Sequence, residues 1–321
     1  MRILVTGGAG YIGSHTCKAL AAKGFEPIVY DNLSRGNRWA VKWGPLEEGD
    51  IADTARLRAV FMDYRPAALM HFAAYAYVGE SVENPLLYYR NNVAGTVSLL
   101  QALLDFEAIP VVFSSTCSTY GVPKICPIPE NHPQIPINPY GFSKLIAERI
   151  LSDLDATYGL RSISLRYFNA AGADPDKEIG EAHNPETHLI PLILNAARDG
   201  NPIRIFGNDY DTADGTCVRD YIHVADIADA HVRALEYLAR GGASCALNLA
   251  NGRGYSVKEV VATAERVCGR PIRLELAPRR LGDPPVLIGT AERARTLLDW
   301  TPERSDLETQ IADAWNWMTK I

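Results

Sequence analysis

Runs of apolar residues alternate with segments of helical periodicity through the first half of the chain. Five runs rich in β-branched or aromatic residues are predicted to be strands, at residues 3–5, 28–30, 69–72, 111–114 and 162–165. Between them, apolar positions recur at helical spacing, for example over residues 15–22 and 92–104. Nearly continuous apolar strands that alternate with helices are typical of a parallel sheet covered on both faces. The right-handed crossover rule then predicts an α/β fold with a Rossmann-type, doubly wound parallel sheet.

This pattern changes after Asn169. Residues 172–186 are rich in Gly, Pro, Asp and Glu and are predicted to form a loop. The predicted elements that follow are shorter, apart from a helix over residues 224–239. We therefore predict a first domain of residues 1–170 plus 224–250, and a smaller mixed α/β C-terminal domain of residues 171–223 plus 251–321.

Composition narrows the possible partners. The 321 residues carry 32 Lys and Arg against 38 Asp and Glu, a net charge of −6, so a general nucleic-acid-binding surface is not expected. An anionic ligand would need a local cluster of cations. No apolar run reaches the length of a membrane span, and the chain starts with a strand, so we expect a cytoplasmic protein without membrane contact. The six cysteines form no Cys-x-x-Cys or zinc-like grouping, which predicts buried reduced thiols and no metal site.

A glycine-rich segment follows the first predicted strand. Residues 7–13 read GGAGYIG, and a predicted helix comes next. Gly8, Gly10 and Gly13 fit the dinucleotide-binding pattern G-x-G-x-x-G, and Gly7 adds a fourth small residue. In that pattern one glycine makes a tight turn, one lets the backbone approach a pyrophosphate, and one packs the helix on the strand. The N-terminus of the helix then faces the anion.

The second predicted strand leads to Asp31, which lies 18 residues after Gly13. A carboxylate at this place accepts hydrogen bonds from the ribose hydroxyls of adenosine and repels a 2′-phosphate, which predicts NAD rather than NADP. Arg35 and Arg38 could hold a 2′-phosphate, but we interpret them as surface charges. Asp50 and Ile51 follow the third strand and are expected beside the adenine.

Residues 138–144, which read NPYGFSK, are predicted to begin a helix, since Asn is a good N-cap and Pro a good first helical residue. Tyr140 and Lys144 then lie one turn apart on one face. An ammonium beside a phenol favours the phenolate, so this pair predicts a base that works near neutral pH. Thr116 follows the strand at 111–114, where its hydroxyl can bridge a substrate hydroxyl and the Tyr140 oxygen. The Tyr-x-x-x-Lys spacing is common on helix surfaces, and it is the glycine loop upstream that favours catalysis.

Together these motifs resemble the extended short-chain dehydrogenase/reductases, and within them the UDP-glucose (UDP-galactose) 4-epimerases. The resemblance covers nearly the whole chain. The matching segments are residues 5–15, 71–74, 78–81, 88–93, 114–116, 139–144, 165–169, 205–210, 214–216, 218–224 and 279–283.

The resemblance implies roles for named residues. Tyr140 would be the catalytic base, Lys144 would tune it and bind the nicotinamide ribose, and Thr116 would take the place of the family's Ser or Thr. The residues that it assigns to NAD are Gly7, Gly10, Tyr11, Ile12, Asp31, Asn32, Asp50, Ile51, Phe72, Ala73, Ala74, Asn91, Ser114, Tyr140, Lys144 and Tyr167. It makes residues 1–170 plus 224–250 the NAD-binding domain and the other residues the UDP-sugar-binding domain.

The substrate residues implied in the same way are Thr116, Tyr140, Asn169, His188, Leu189, Phe206, Arg219, Arg280 and Asp283. Phe206 would lie against the uracil, Arg219 and Arg280 would clamp the diphosphate, and Asp283 would bind the uridine ribose. Asn91 and the turn at 167–169 would also hold sugar and diphosphate. A homodimer through the helices near residues 80–106 and 138–157 is implied as well.

The implied reaction interconverts UDP-galactose and UDP-glucose through a transient 4-keto sugar, with reversible hydride transfer to tightly bound NAD. Three positions depart from the family's usual pattern. Ala76 stands where many members have Lys, and His188 replaces a more usual Asn. Leu287 stands where members have Tyr or a small residue, and its bulk predicts poor turnover of UDP-N-acetylhexosamines. The branch that Ala76 indicates includes pentose epimerases, so UDP-xylose, UDP-arabinose or UDP-glucuronate stay open as substrates. A 4,6-dehydratase is less favoured, because Cys117 and Ser118 stand where that class needs a carboxylate.

Overall fold

A computed structural model describes residues 1–280 and 283–320. Leu281 and Gly282, within the matched segment 279–283, lie outside the described residues, as does Ile321 at the end of the predicted second domain. The described strands are β1 (Arg2–Thr6), β2 (Glu26–Asp31), β3 (Leu46–Glu48), β4 (Ala68–His71), β5 (Val111–Thr116), β6 (Ser162–Tyr167), β7 (Asn169–Ala171), β8 (Ile203–Phe206), β9 (Val218–His223), β10 (Cys245–Leu249), β11 (Gly254–Ser256), β12 (Leu274–Ala277) and β13 (Val286–Leu287).

The described α-helices are α1 (Tyr11–Ala22), α2 (Thr54–Tyr64), α3 (Val78–Glu83), α4 (Pro85–Tyr88), α5 (Thr96–Phe106), α6 (Pro139–Tyr158), α7 (Leu189–Asp199), α8 (Val224–Ala239), α9 (Val257–Cys268), α10 (Glu292–Leu298) and α11 (Leu307–Met318). The predicted helix at 92–104 differs in one respect: it starts with a π-helical turn over Tyr89–Gly95, and α5 follows. In this turn the buried side chain of Asn92 bonds the backbone nitrogen and oxygen of Tyr75, so the turn is tied to the loop after β4.

Seven parallel strands form the central sheet in the order β10-β6-β5-β4-β1-β2-β3. The chain winds outward from β1 in one direction through β2 and β3, and in the other through β4, β5, β6 and β10. This confirms the predicted Rossmann-type, doubly wound α/β fold. The order reverses between β1 and β4, and in such sheets ligands bind in the crevice beyond the carboxyl ends of the strands at that point.

The smaller C-terminal strands pair separately from this sheet. β9 pairs with β7 and β13 in parallel and with β11 in an antiparallel arrangement, while β8 and β12 form a parallel pair. Since β7 follows β6 after one residue, this second group of strands starts at the carboxyl edge of the central sheet. Its loops therefore lie near the end of the sheet where ligands bind.

In the described part of the chain, buried apolar side chains form three clusters, two of which lie on opposite faces of the central sheet. Ile3 and Val5 enter one cluster and Leu4 enters a second, because successive side chains of a strand point to opposite faces. The third cluster joins α7, α9 and α11. One detail departs from the predicted domain boundaries: α10 and Trp300 belong to the first cluster, since α10 packs on α8 and β10. With that change, the division into two domains stays a prediction.

The cysteines agree only partly with the expectation of buried thiols. All six are free, but only Cys17 is fully buried, and Cys126 is exposed. The expectation is therefore wrong for Cys126, which lies in the loop between β5 and α6. Among residues 1–280 and 283–320, no helix has the length and apolarity needed to cross a membrane.

His71, at the end of β4, joins three elements of the first domain. Its Nδ1 lies 2.8 Å from the Thr6 hydroxyl of β1, and its Nε2 lies 2.9 Å from the Thr96 hydroxyl of α5. Because the Thr96 hydroxyl donates to the Asn92 carbonyl, the Nε2–H donates to Thr96 and Nδ1 accepts from Thr6. Burial, together with the charge of Lys144, lowers the pKa of His71 to about 3.

This buried imidazole makes stability depend on pH. The unfolded chain binds a proton at His71 below about pH 6.5, but the folded protein does not until about pH 3, so acid favours unfolding. The free energy of unfolding is expected to fall between pH 7 and pH 5, with His71 contributing about 1.4 kcal/mol per pH unit below its unfolded pKa. Urea unfolding of wild type and His71→Gln at both pH values checks this. The variant should lose less stability on acidification, and an equal loss in both proteins would contradict the assignment.

Candidate active site

The loop between β1 and α1 presents backbone to the carboxyl edge of the sheet. Gly7 has a φ of +74°, and a Cβ there would lie 2.5 Å from the backbone nitrogen of Ala73. A Cβ at Gly13 would lie 2.2 Å from the Gly7 carbonyl oxygen, so α1 packs directly on the loop. At Gly10, the only heavy atom near such a Cβ within the described chain is the Gly7 oxygen at 3.3 Å, which leaves space before the N-terminus of α1. This cradle fits a pyrophosphate.

Asp31 ends β2 beside this glycine loop. Its carboxylate accepts hydrogen bonds from the backbone nitrogens of Ala9, at 3.0 Å, and Leu33, at 2.8 Å. Burial raises the pKa of Asp31, and these two hydrogen bonds oppose the rise. The carboxylate is therefore fixed next to the turn that would hold the pyrophosphate, where a ribose would follow in a dinucleotide.

The two arginines near Asp31 are paired with other carboxylates. Arg35 forms an ion pair with Glu80 at 2.6 Å and lies over the ring of Tyr77, so it is half-buried and not the surface charge that we expected. The packing of α3 against this loop explains the difference, since Glu80 belongs to α3. Arg38 is exposed, as expected, and pairs with Glu48. With both arginines paired, the negative charge of Asp31 dominates at the end of β2, and it suits free ribose hydroxyls better than a 2′-phosphate.

Most other residues predicted to bind the cofactor lie at the same edge. The Asn32 amide donates to the Asp50 carboxylate at 2.8 Å, and Ile51 is buried against Gly95. Asn91 lies in the π-helical turn. Phe72, Ala73 and Ala74 follow β4, and the close contact between Gly7 and Ala73 places them across the glycine loop. Ala76 is exposed in the loop that continues from them.

Tyr11 and Ile12 begin α1 directly after Gly10. The Tyr11 hydroxyl donates to the carbonyl of Gly172 at 2.6 Å, in the loop that follows β7. Burial raises the pKa of Tyr11 well above its ordinary value, and the charges of Glu181 and Glu186 act in the same direction. This side chain therefore connects the glycine loop to the second group of strands.

Tyr140 and Lys144 lie on the first turns of α6, whose start is fixed by two contacts. The Asn138 side chain caps the helix by accepting from the Gly141 nitrogen at 2.8 Å. A Cβ at Gly141 would lie 2.4 Å from the Ser118 carbonyl, so α6 touches the turn that follows β5. This close approach brings the helix to Thr116, the last residue of β5, and all three predicted catalytic side chains are buried there.

Lys144 is held at the end of β5. Its Nζ donates to the Ser114 carbonyl at 2.9 Å and lies 4.9 Å from the centre of the Phe113 ring. The Ser114 hydroxyl lies 2.6 Å from the hydroxyl of Tyr167, the last residue of β6. These contacts place Ser114, Lys144 and Tyr167 in one group with Tyr140 and Thr116.

The electrostatics of this group differ from the expectation that Lys144 makes Tyr140 a phenolate. Burial raises the pKa of Tyr140 well above its ordinary value, Tyr167 adds to the rise, and the Thr116 hydroxyl opposes it. Burial also lowers the pKa of Lys144 to about 7, although the Glu148 carboxylate opposes this. Both groups therefore favour their neutral forms, since a buried ion has lost its hydration. The protein by itself does not hold Tyr140 as a phenolate at neutral pH.

A cleft of about 420 Å³ lies beside the second group of strands. Phe206, at the end of β8, lines it together with Arg280 and Glu186. The Arg280 guanidinium lies 4.1 Å from the centre of the Phe206 ring. We predicted that these two residues hold different parts of a nucleotide, but here the cation covers the ring. Arg280 must turn away before a base can stack on that face.

Arg219 and Asp283 also pair with each other. Both are predicted to bind the nucleotide, and the Arg219 guanidinium forms an ion pair with the Asp283 carboxylate. Arg219 is almost fully buried on β9 and also donates to the Val218 carbonyl at 2.8 Å. The Asn169 amide donates to the Asp220 carbonyl at 2.8 Å, so part of its hydrogen-bonding capacity serves the strand pairing. Leu287 stands opposite Arg219 in the pairing of β13 with β9.

His188 and Leu189 begin α7 at the rim of the cleft. The His188 Nδ1 bonds the buried carboxylate of Glu181, which also takes a hydrogen bond from His183 at 3.0 Å. Burial lowers the pKa of His188, but Glu181 and Glu186 outweigh this effect, and the net direction is upward. His188 therefore keeps a proton more readily than a free imidazole does, which suits a position beside an anion.

The structure therefore forms two groups from the predicted residues. One lies between the glycine loop and α6. The other contains Phe206 and Arg280, which line the cleft, and the ion pair of Arg219 with Asp283, which does not line it. The sequence analysis missed Tyr88, whose ring meets that of Tyr140 edge-on at 6.5 Å, and Glu148, which follows Lys144 by one helical turn. The helical spacing of Lys144 and Glu148 was a usable signal, and Tyr88 lies in the matching segment 88–93, although no role was assigned to it there.

Comparisons with known proteins agree with this arrangement. The model of the NAD dependent epimerase/dehydratase family matches residues 3–250. A UDP-glucose 4-epimerase from Rhizobium leguminosarum bv. trifolii is 54% identical over 321 residues, which is 99% of this chain and 97% of the relative.

Solved structures of UDP-glucose 4-epimerases are also similar to this chain over nearly its full length. A UDP-glucose 4-epimerase from Brucella ovis, in complex with NAD, is 53% identical with a TM-score of 0.96, over 98% of this chain and 97% of that one. A UDP-glucose 4-epimerase from Bifidobacterium longum, in complex with NAD⁺ and UDP, is 36% identical with a TM-score of 0.95, over 100% and 98% of the two chains. On these matches, the chain belongs to the NAD dependent epimerase/dehydratase family.

Proposed function

We propose that this protein inverts C4 of a UDP-hexose and so interconverts UDP-galactose and UDP-glucose, with NAD as a tightly bound cofactor. The observation that carries the proposal is the group of buried polar side chains where α6 meets the end of β5, opposite the glycine loop. Relatives that match almost the full length of the chain and bear the name UDP-glucose 4-epimerase support it.

The residues present fit NAD. The space before Gly10 suits a pyrophosphate, the fixed carboxylate of Asp31 suits the hydroxyls of a ribose, and the buried amine of Lys144 has further N–H groups for a second ribose. NAD, when bound, supplies a two-electron acceptor and donor for the C4 carbon. The steps that remain for the protein are to bind the nucleotide, orient the sugar and move one proton.

In our proposal the Tyr140 oxygen takes the proton of the sugar's 4-hydroxyl and later returns it to the 4-keto sugar. The Thr116 hydroxyl would bridge the sugar oxygen and the phenol, and its effect on the pKa of Tyr140 supports this role. Since burial raises the pKa of Tyr140, the phenolate has to be stabilised by the nearby ammonium of Lys144 and by cationic charge that arrives with the cofactor. Lys144, with a pKa of about 7, is partly protonated at neutral pH and can respond to such a change.

Inversion requires that the sugar presents both faces while the nucleotide stays bound. We assign the anchoring to Phe206 and Arg280 in the cleft and to the pair of Arg219 and Asp283. His188 and the backbone of Leu189 would lie beside the diphosphate, and Asn169 near the sugar. This separation places the binding free energy on the uridine diphosphate and leaves the hexose free to turn. In a protein of net charge −6, these localised cations provide the attraction for a dianion.

The alternatives are less well supported. A 4,6-dehydratase needs a carboxylic acid near the Tyr140 hydroxyl, whereas the side chains that shift the pKa of Tyr140 are Tyr167, Thr116, Cys117 and Tyr88. Burial raises the pKa of Cys117 to about 12, so its thiol cannot replace such an acid. Epimerisation of UDP-pentoses or UDP-glucuronate uses the same steps and differs only in the sugar. A cytoplasmic location stays a prediction from the sequence.

The reaction is tested with UDP-galactose that carries deuterium at C4. Desalted protein without added NAD is expected to form UDP-glucose with the label retained, because the hydride leaves and returns within one complex. UDP-xylose, UDP-glucuronate and UDP-N-acetylglucosamine run in parallel, and the half-buried Leu287 predicts the slowest turnover for the last. Loss of label to solvent, or no UDP-glucose, would contradict the proposal, and faster turnover of UDP-xylose or UDP-glucuronate would reassign the sugar.

The role of Tyr140 is tested by Tyr140→Phe. Removing the proton acceptor is expected to lower kcat by about 10²- to 10⁴-fold while the protein keeps its NAD. Tyr158→Phe is the matched control, because Tyr158 ends the same helix but is exposed, and its kcat should equal that of wild type. A kcat for Tyr140→Phe within a few-fold of wild type would remove Tyr140 as the base.

We also propose a homodimer through α3 to α6. These helices expose Val82, Leu86, Val97 and Phe142, and apolar side chains in such number favour burial against a second copy. Val97→Glu on α5 is expected to shift the protein from dimer to monomer in sedimentation equilibrium, because it places a charge in the interface. Leu276→Glu, on exposed β12, is the control and should remain dimeric. A monomeric wild type at micromolar concentration would contradict this part of the proposal.

A further inference from the structure

Glu148 occupies a buried place on α6 that the proposed reaction does not yet use. It lies one helical turn after Lys144, and its side chain is only 8% exposed. Its carboxylate accepts hydrogen bonds from the Ser115 hydroxyl and from the Arg166 guanidinium, whose Nε lies at 2.9 Å. Gln134 adds a longer hydrogen bond of 3.2 Å. A carboxylate with this many donors is held in one position.

Arg166, on β6, extends the contact across the central sheet. Its side chain is 7% exposed, and its Nη1 donates to the Tyr120 hydroxyl at 3.0 Å and to the Glu130 carbonyl at 3.2 Å. The Tyr120 hydroxyl in turn donates to Asn248 of β10 at 2.7 Å. The position of Glu148 is therefore fixed by β5, β6 and β10 together.

The residue that Glu148 holds on β5 is directly between two residues of the catalytic group. Ser115 follows Ser114, whose carbonyl accepts from Lys144, and precedes Thr116. Side chains of a strand alternate, so Ser115 points to the opposite face of the sheet from Ser114 and Thr116 and reaches Glu148 there. The bond from Ser115 to Glu148 thus ties the end of β5 to α6, the helix that carries Tyr140 and Lys144.

We propose that Glu148 is a positioning residue that places a fixed negative charge one helical turn from the Lys144 amine and holds the end of β5 beneath Tyr140. The inference rests on the proposed function, since it concerns the base that this reaction needs. Glu148 acts through Lys144 and Ser115 and touches neither substrate nor cofactor.

The charges around Lys144 support this role. Among the titratable groups near Lys144, Glu148 and His71 interact with it electrostatically. Arg166 is paired with Glu148, and Tyr140 and Tyr167 belong to the same buried group as Lys144. His71 is neutral above about pH 3, and burial keeps Tyr140 and Tyr167 neutral as well. Burial lowers the pKa of Lys144 to about 7, and the Glu148 carboxylate is the group that raises it. Without that carboxylate, the pKa of Lys144 would fall further, and the amine would lose its proton at a lower pH than in wild type.

A purely structural role for Glu148 would be to neutralise the buried Arg166. Two variants separate these explanations. Glu148→Gln removes the charge but keeps the shape, and it leaves Arg166 without its partner. Glu148→Gln combined with Arg166→Gln removes both charges, so no buried cation is left unpaired. Positioning of Lys144 predicts the same altered pH profile in both proteins, whereas a structural role predicts recovery in the double variant.

The experiment measures the pH dependence of kcat and KM for UDP-galactose between pH 6 and pH 10, with the proteins as purified. In Glu148→Gln and in the double variant, the alkaline loss of kcat is expected to begin about one pH unit lower, with a smaller change in KM. Glu148→Asp should restore the wild-type profile in part. Gln134→Ala, which removes only the longer neutral hydrogen bond, should leave the profile unchanged.

A second readout does not depend on turnover. The amount of NAD that stays bound is measured after gel filtration at a series of pH values. As the pH rises, both variants are expected to lose NAD at a lower pH than wild type does, because a neutral Lys144 holds a ribose less tightly. A wild-type profile in folded Glu148→Gln, or recovery of the wild-type profile in the double variant, would overturn the inference. If Glu148→Gln does not fold, the pH profile of the double variant tests the inference: an altered profile supports it and a wild-type profile overturns it. If wild type does not epimerise, the proposed function fails, and NAD retention still tests the charge of Lys144.

Discussion

The hydrogen bond from the Lys144 side-chain nitrogen to the Ser114 carbonyl is the contact on which the candidate site depends. It joins the first turns of α6 to the last residues of β5, with 2.9 Å between the two atoms. The cap at Asn138 decides where the helix starts, and the close approach at Gly141 decides how near it comes to the strand. Together these contacts place a phenol, an amine and a hydroxyl in a buried space at the edge of the sheet. A shift of α6 by one residue would turn Tyr140 and Lys144 out of that space.

Two other parts of the fold supply the candidate binding residues around this contact. The parallel sheet provides the cradle of glycine backbone and the carboxylate of Asp31 at its carboxyl edge, where the strand order reverses. The second group of strands starts at the same edge, and it adds Arg219, Arg280 and the cleft beside Phe206. A dinucleotide and a nucleotide sugar can therefore approach one reacting position from opposite directions. Burial of that position makes charge costly there, which explains why Tyr140 and Lys144 both shift toward their neutral forms.

The sequence was sufficient for the central sheet and for the spacing of the main motifs. Fully buried parallel strands produce long apolar runs, and Tyr140 and Lys144 are separated by one helical turn in any α-helix. Short strands such as β7 and β13 carry too few residues to show a period, and their pairing with β9 is set by contacts distant in the chain. The pairing of Arg35 with Glu80, of Arg219 with Asp283, and of Arg280 with the Phe206 ring depends on the same distant contacts. The charge state of Tyr140 could not be predicted either, because spacing reveals proximity to Lys144 but not the loss of hydration on burial.

The most direct test of this account is a crystal structure of the Tyr140→Phe variant and of wild type with NAD and UDP-glucose. The account predicts that in wild type the Tyr140 oxygen lies within hydrogen-bond distance of the sugar's 4-hydroxyl, at about 2.6–3.2 Å. It also predicts that the Lys144–Ser114 contact persists and that Arg280 has left the Phe206 ring. A complex in which the Tyr140 oxygen lies far from C4 of a well-ordered hexose, in both proteins, would contradict it.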